Sequence, residues 1–319
     1  MKLAVFRLKS DSLQAIARLG VIHQGGVLDL SRFAQGTVPA NIRLLLQDTA
    51  FGLAWAHAQL ARASIEPALA RTHTYALDAI TFLPLVADAD KFICVGKNYR
   101  SHLEELKRTN LIKEMPQEPT GFIKTNSCLA GHNAEVVRPR DVTALDYEPE
   151  LVFVIGKPAY RVPKGLPIAN ALEYVAGITL LNDLTCRDTQ KREVASGSRF
   201  WTAKNAPGFG PLGPYLITME EVVDPYNIWV TCRVNGVLRM RVNTSEQIWT
   251  ISDILAHFSR LVPLQPGDMF STGAPGGVAV GKANASELFL KPGDIVECAF
   301  EDPAMVLSNR IVADVSYGR

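Results

Sequence analysis

The sequence predicts an α+β protein that is rich in β-structure, with a mixed β-roll or β-sandwich as its larger part. From about residue 91 onward, short apolar runs alternate with glycine and proline turns, and long helical periodicity is rare. A polar linker, residues 87–91, separates this region from the first part of the chain. We therefore expect a small N-terminal α+β domain at residues 1–88 and a larger β-rich domain at residues 89–319.

The N-terminal part predicts strands and one helix. Gly25 and Gly26 indicate a hairpin, because consecutive glycines permit a tight turn between two apolar runs. Residues 41–63 are rich in Leu, Ala and Gln with helical periodicity, and Asn41 is a suitable N-cap. Strands are predicted at residues 3–8, on both sides of the hairpin turn within residues 17–30, and at residues 80–86. No cluster of catalytic residue types occurs in this part.

Charge and cysteine content exclude several classes of protein. The chain has 33 basic and 32 acidic residues with no long block of like charge, which argues against a nucleic-acid-binding surface. The five cysteines are scattered without zinc-site or redox-pair spacing, which indicates reduced, buried thiols. No stretch approaches the ~18 apolar residues of a membrane span, and no signal-peptide pattern occurs. We predict a cytoplasmic protein with neither a membrane nor a nucleic-acid partner.

A short acidic strand is the centre of the larger region. Residues 151–155 are five consecutive apolar residues that end at Gly156, as in a fully buried strand. Glu148 and Glu150 lie two residues apart just before this run, so their side chains share one face. Two converging carboxylates favour a hard divalent cation such as Mg²⁺, Ca²⁺ or Mn²⁺. The alternative is that both glutamates line a solvated strand face.

A third carboxylate follows the next predicted strand. Residues 174–182 form an apolar run that ends at Asp183. Three carboxylates with water in the remaining positions are ordinary Mg²⁺ ligation. Asp183 is therefore a plausible partner for Glu148 and Glu150.

A histidine and a glutamate follow another predicted strand, residues 92–95. Ser101 is a candidate cap for a helix that runs to about Arg108. In such a helix His102 and Glu105 are three residues apart and face the same side. A carboxylate beside an imidazole fixes its tautomer and raises its basicity, which suits a general base. The alternative is an ordinary His–Glu pair on a surface helix.

Taken together, these stretches resemble the fumarylacetoacetate hydrolase family, most closely its compact bacterial-type members. The resemblance covers roughly residues 90 to 319, and the matching stretches occur in order. They are residues 96–102 with Glu105, 122–124, 147–151, 182–183, 187–188 with Gln190, Lys204, 213–214, 234–236, 264–268 and 272–273. The resemblance implies the β-roll or sandwich fold of the family's C-terminal domain, a variable N-terminal domain, and a homodimer.

The resemblance also implies roles for individual residues. Glu148, Glu150 and Asp183 would bind the metal, usually Mg²⁺, with Mn²⁺ or Ca²⁺ as possible substitutes. His102 and Glu105 would activate water on a lid segment that orders when substrate binds, and Lys204 would stabilise an oxyanion. The substrate-binding residues would be Lys124, Arg187, Gln190, Thr272 and Gly273.

The expected activity is hydrolytic carbon–carbon cleavage of a 2,4-diketo acid of the acylpyruvate type, which is a small-molecule keto acid. The same stabilised enolate would serve decarboxylation or isomerisation of oxaloacetate-like or 2-hydroxydienoate acids, which is the main alternative. A ureidoglycolate-type lyase and a non-catalytic metal-binding protein are weaker alternatives. Two departures from the family pattern affect substrate identity: Ala274 stands where a threonine is common, and residues 239–241 lack an expected glutamine.

Overall fold

The computed structural model describes residues 1–12, 14–36, 38–108, 116–198 and 201–315. Within these ranges the strands are β1 (Lys2–Leu8), β2 (Arg18–His23), β3 (Gly26–Asp29), β4 (Thr74–Ala76), β5 (Ile80–Phe82), β6 (Phe92–Gly96), β7 (Thr120–Ile123), β8 (Leu129–Ala130), β9 (Glu135–Arg138), β10 (Leu145–Asp146), β11 (Pro149–Ile155), β12 (Val175–Asn182), β13 (Thr185–Cys186), β14 (Gly210–Thr218), β15 (Trp229–Val234), β16 (Val237–Asn243), β17 (Met269–Ser271), β18 (Ile295–Phe300) and β19 (Met305–Ala313).

The helices are α1 (Leu30–Phe33), α2 (Ile42–Gln47), α3 (Gly52–Ile65), α4 (Pro67–Thr72), α5 (Arg100–Arg108), α6 (Ile168–Leu172), α7 (Arg187–Ala195), α8 (Ile251–Ser259) and α9 (Ala285–Leu288). The fold is therefore α+β and rich in β-structure, as the sequence predicts. The part of the predicted lid segment at residues 109–115 lies outside the described residues. Among those described, no helix combines the length and apolar character that crossing a bilayer requires.

Two sheets enclose the larger hydrophobic core. The main sheet has the order β4-β3-β2-β1-β14-β12-β11-β17-β6-β7. In addition, β5 pairs with β1, and β8 pairs with β14. The second sheet has the order β16-β15-β18-β19-β9. Side chains of both sheets, including Phe153 of β11 and Cys298 of β18, belong to one buried cluster. All five cysteines are buried and free.

Strand β11 lies in the middle of the main sheet, and all of its residues are buried. It is antiparallel to β12 on one side and to β17 on the other. Pro149 is its first residue and pairs with Asn182. A proline fits there because the first position of a strand tolerates a missing N–H. This pairing places the residues around Pro149 beside the residues that follow Asn182.

The N-terminal part joins the main sheet directly. Strand β1 pairs with β14, where Leu3 lies opposite Leu216. Both leucines belong to a buried cluster that also contains Val152 of β11. The division into two domains at residue 88 stays a prediction, and the sheet continues across it.

The long helix predicted at residues 41–63 is wrong in its extent, since two helices occupy this stretch. Asn41 caps α2, as predicted, and its side chain accepts from the backbone N–H of Leu44 over 2.8 Å. The chain then breaks at Asp48, whose side chain accepts from the backbone N–H of Ala50. Gly52 restarts the helix with a positive φ of 67°, a conformation that favours glycine.

Candidate active site

Three acidic side chains meet at one end of the main sheet. Glu148 directly precedes β11, Glu150 is the second residue of that strand, and Asp183 follows β12. The backbone N–H of Asp183 donates to the carbonyl of Glu148 over 2.8 Å and holds the two strand ends together. One carboxylate oxygen from each residue lies within 4.8 Å of the others, and all three residues are buried. The structure therefore brings the three predicted metal ligands into one cluster, called the acidic triad below.

Three buried cations contact the acidic triad. The ammonium of Lys204 donates to both Glu148 and Asp183. Lys124 Nζ donates to Asp183 Oδ1 over 2.7 Å and to the carbonyl of Lys204 over 2.6 Å. Arg187 Nη2 donates to Glu148 Oε1 over 2.5 Å. Each cation is at most 8% exposed, so these ion pairs are shielded from water.

The surrounding charges act differently on the acids of the triad. Burial opposes the charge of Glu148, but the adjacent Arg187 and Lys204 outweigh it and lower the pKa of that carboxyl. Burial, and then the negative charge of Asp183, raises the pKa of Glu150 well above its ordinary value. Burial also opposes the charge of Lys204, yet Asp183 and Glu148 raise its pKa. The surroundings therefore favour the charged form of Glu148 and disfavour that of Glu150.

Asp146 anchors Arg187, a role that the sequence analysis missed. Its carboxylate accepts from Arg187 Nε over 2.8 Å and from the backbone N–H groups of Ala279 and Val280 over 2.9 and 3.0 Å. Asp146 therefore fixes the guanidinium that contacts Glu148. The sequence contains a signal for it, since Asp146, Glu148 and Glu150 alternate with the period of a strand.

Ser271 is the second residue that the sequence analysis missed. It is fully buried at the end of β17, and its hydroxyl donates to Glu150 Oε2. Val152 of β11 pairs with Ser271 of β17, and this register brings the side chain of Ser271 to that of Glu150. A serine within an apolar strand carries no signal of its own, so only the strand pairing identifies it.

His102 and Glu105 lie together on α5. His102 Nδ1 is 3.5 Å from Glu105 Oε2, close enough for an ion pair when the ring is protonated. The other oxygen, Glu105 Oε1, accepts from the backbone N–H of Gly277 over 2.7 Å. Ser101 was predicted to cap this helix, but it lies inside α5, and its hydroxyl accepts from the backbone N–H of Gly276 over 3.1 Å. The residues after β17 therefore hold α5 in place from two points.

A cavity of about 560 Å³ opens onto two acids of the triad, Glu148 and Glu150. His102, Lys204 and Gln190 line it together with Glu148 and Glu150. Its remaining lining comprises Val95, Gly96, Lys97, Phe122, Ala144, Arg187, Asp188, Lys191, Val194, Gly197, Ser198, Ala274, Val280 and Phe289. The Gln190 side-chain oxygen accepts from Arg187 Nη1 over 2.9 Å, and this hydrogen bond fixes the orientation of the Gln190 amide. The cavity thus combines acidic, cationic and imidazole groups with an apolar wall.

Three residues predicted to bind substrate are outside this lining among the described residues. Thr272 Oγ1 donates to the carbonyl of Leu151 over 3.0 Å. Gly273 has a positive φ of 96°, and its neighbour Ala274 lines the cavity instead. Lys124 contacts Asp183, as described above. Their direct role in substrate binding stays a prediction.

The acidic triad fits a hard divalent cation. All three residues offer carboxylate oxygen, the donor that Mg²⁺, Mn²⁺ and Ca²⁺ prefer in proteins. Burial, and then the negative charge of Asp183, raises the pKa of Glu150, and a bound cation would favour its charged form. Such an ion would share Glu148 and Asp183 with the ammonium of Lys204, or displace it from them.

Comparisons with known proteins identify the family of this chain. The family model for the fumarylacetoacetate (FAA) hydrolase C-terminal domain matches residues 91–312. Human "Oxaloacetate tautomerase FAHD2A, mitochondrial" is 35% identical over 288 residues, which cover 90% of this chain and 84% of the human protein.

Two solved structures from enzymes with related names are also similar to this chain. Fumarylacetoacetate hydrolase from psychrophilic Exiguobacterium antarcticum has a TM-score of 0.75 at 28% identity and covers 98% of this chain and 100% of its own. The 5-carboxymethyl-2-hydroxymuconate delta-isomerase from Mycobacterium smegmatis has a TM-score of 0.69 at 25% identity, with the same coverage. The chain therefore belongs to the fumarylacetoacetate hydrolase family and is an enzyme of that superfamily.

Proposed function

We propose that this enzyme is a divalent-metal-dependent tautomerase that interconverts the keto and enol forms of oxaloacetate or a closely similar 2-oxo acid. The observation that carries the choice of reaction is the 35% identity with a human protein named oxaloacetate tautomerase, over 90% of this chain. The isomerase among the similar structures supports the same class of chemistry. Hydrolysis, the main expectation from the sequence, thereby becomes the second candidate.

Glu148, Glu150 and Asp183 would hold the metal, which we propose is Mg²⁺, with Mn²⁺ or Ca²⁺ as substitutes. When bound, the ion would act as a Lewis acid towards the 2-oxo group and the adjacent carboxylate of the substrate. The buried charges of Lys204 and Arg187 would stabilise the negative charge that develops as a proton leaves C3. The Gln190 amide, held by Arg187, would orient the substrate beside them.

Tautomerisation moves one proton between C3 and the 2-oxo oxygen and consumes no water. His102 lines the cavity and has Glu105 beside its Nδ1, so its other ring nitrogen is available to carry the proton between C3 and the 2-oxo oxygen. Because Glu105 is itself held by the backbone of Gly277, the imidazole would keep one orientation during the transfer.

Hydrolytic cleavage of an acylpyruvate is the second candidate. The same His102–Glu105 pair could deprotonate a water molecule, and Lys204 could stabilise the resulting oxyanion. The similarity to the fumarylacetoacetate hydrolase from Exiguobacterium antarcticum favours this alternative.

A substrate panel with purified protein separates the two candidates. We expect Mg²⁺-loaded enzyme to accelerate the decay of the ultraviolet absorbance of enol-oxaloacetate, and EDTA to abolish this acceleration. Acetylpyruvate tests hydrolysis, since its cleavage yields acetate and pyruvate. Acetate release without any effect on enol-oxaloacetate would overturn the proposed tautomerase and establish the hydrolase.

A further inference from the structure

One face of helix α7 forms a wall of the active-site cavity. The cavity-lining residues of this helix include Arg187, Gln190, Lys191 and Val194. Their spacings of three, four and seven residues place them on the same side of an α-helix. The wall therefore presents a cation, an amide, a second cation and an apolar group in order along its length.

The inner end of this wall is fixed at the acidic triad. Arg187, the first residue of α7, contacts Glu148. A helix rises 1.5 Å per residue, so the backbone of Lys191 lies about 6 Å further along the axis, roughly one turn from Arg187. Val194 lies about one more turn away. Position along α7 thus corresponds to distance from the point where the 2-oxo acid end of a substrate would bind.

Lys191 supplies a cation at the intermediate distance. It is exposed, and no ion pair engages its ammonium among the residues that the structure describes. Its neighbour Arg192 does not line the cavity, and its guanidinium donates to the hydroxyl of Thr189 over 3.0 Å. The lysine at this position is therefore available to a negatively charged group inside the cavity.

We propose that Lys191 determines specificity for dicarboxylic substrates by binding the carboxylate distal to the 2-oxo acid end. In a four-carbon diacid the two carboxylate carbons are joined by three C–C bonds, and the flexible side chain of Lys191 can reach the second carboxylate from about one helical turn (about 5.4 Å) beyond Arg187. Val194 and Phe289, which also line the cavity, offer no charge to such a group. This inference rests on the proposed function, because it assumes that a 2-oxo acid binds at the triad.

The kinetic test compares Lys191→Met with Arg192→Met, which removes a neighbouring charge from the same helix outside the cavity. Lys191→Met should raise KM for oxaloacetate about tenfold and leave kcat nearly unchanged. A tenfold change corresponds to the lower end of the free energy that a hydrogen bond to a charged group contributes. Arg192→Met should leave both constants unchanged, and Lys191→Arg should restore most of the affinity.

A binding test separates this inference from the proposed reaction. Calorimetry in the presence of Mg²⁺ would compare malate with 2-hydroxybutanoate, which lacks the distal carboxylate. Lys191→Met should weaken malate binding about tenfold and leave 2-hydroxybutanoate binding unchanged. Equal weakening of both ligands, or no change in either, overturns the proposal. Selective loss of malate in Lys97→Met but not in Lys191→Met also overturns it.

The two proposals fail in different ways. If the wild-type enzyme does not accelerate tautomerisation, the proposed function is wrong, and the calorimetric comparison still decides the role of Lys191. If tautomerisation is confirmed but the Lys191→Met variant does not discriminate between the two hydroxy acids, the inference about Lys191 alone is wrong.

Discussion

The ammonium of Lys204 donates to Glu148 and to Asp183, two of the three carboxylates of the acidic triad. Arg187 and Lys124 contact the same two acids from other directions, whereas Glu150 accepts from the neutral hydroxyl of Ser271. The protein thus pairs two of the acids with its own cations, whereas burial and Asp183 raise the pKa of the third, Glu150. This asymmetry makes the contributions of the individual residues separable by mutation.

Lys204→Met should destabilise the metal-free protein by about 3–5 kcal/mol, since it removes one partner of a buried ion pair. Mg²⁺ should raise the Tm of this variant more than that of the wild type, because the ion no longer competes with the ammonium for Glu148 and Asp183. Thermal unfolding with and without Mg²⁺ measures both effects. Lys157→Met, which removes an exposed pair with Glu173, should change stability by less than about 1 kcal/mol. A Lys204→Met variant as stable as the wild type would contradict the prediction.

Glu150→Ala should abolish both metal binding and turnover, because it removes one of the three carboxylates that would hold the ion. Isothermal titration with Mn²⁺ and the enol-oxaloacetate assay provide the two measurements. Glu104→Ala, on the exposed side of α5, should be nearly silent in both. Equal losses from the two substitutions would exclude Glu150 as a specific metal ligand.

Ser271→Ala should lower the affinity for the divalent cation about 10- to 100-fold, the usual effect of removing a group that orients a ligand. The reason is that Glu150 loses the hydroxyl that fixes its Oε2. Ser259 is an equally buried serine, whose hydroxyl accepts from the backbone N–H of Val162. Ser259→Ala should reduce stability without changing metal affinity. If both variants keep full affinity, Ser271 does not orient the site.

His102→Ala should lower kcat about 100-fold or more, the usual contribution of a positioned acid–base group, and should leave metal affinity unchanged. Steady-state kinetics and titration with Mn²⁺ check the two parts. His257 forms a second histidine–glutamate pair, with 3.8 Å between its Nδ1 and Glu118 Oε2, outside the triad cavity. His257→Ala should keep normal kcat. An active His102→Ala enzyme would remove this imidazole from the proton transfer.

His132 should make the fold sensitive to mild acid. Burial lowers the pKa of His132 in the folded protein, where its Nδ1 accepts from the backbone N–H of Ser308 over 3.1 Å. In the unfolded chain the ring titrates near its ordinary pKa of about 6.5. Below that pH the unfolded state binds a proton that the folded state does not, so stability is lost as pH falls towards the lower folded pKa.

The measurement for His132 is the Tm between pH 7.5 and 5.5. His132→Asn retains an acceptor near the Nδ1 position but does not titrate. Its Tm should therefore fall less over this range than that of the wild type. Identical pH dependence in the two proteins would show that another group causes the acid sensitivity.

The β-rich fold and the acidic triad could be predicted because both depend on local patterns. Glu148 and Glu150 alternate along a buried strand, and Asp183 follows the next one. Strand periodicity and strand order therefore identified the three candidates, and the family resemblance assigned them to the metal. Ser271 could not be predicted, since it reaches Glu150 only through the pairing of β17 with β11, more than a hundred residues away. The break at Asp48 was missed because a side-chain contact interrupts an otherwise helical composition.

The pairing of β1 with β14 has a consequence for any attempt to isolate the catalytic region. Leu216 and Ile217, near the C-terminal end of β14, pair with Leu3 and Lys2 of β1 on the side of β14 that faces away from β12. A fragment cut at residue 88 would leave unpaired backbone N–H and C=O groups at this end of β14, a template for intermolecular strand addition. Truncation would therefore favour self-association of the fragment through the end of β14 that β1 covers in the intact chain.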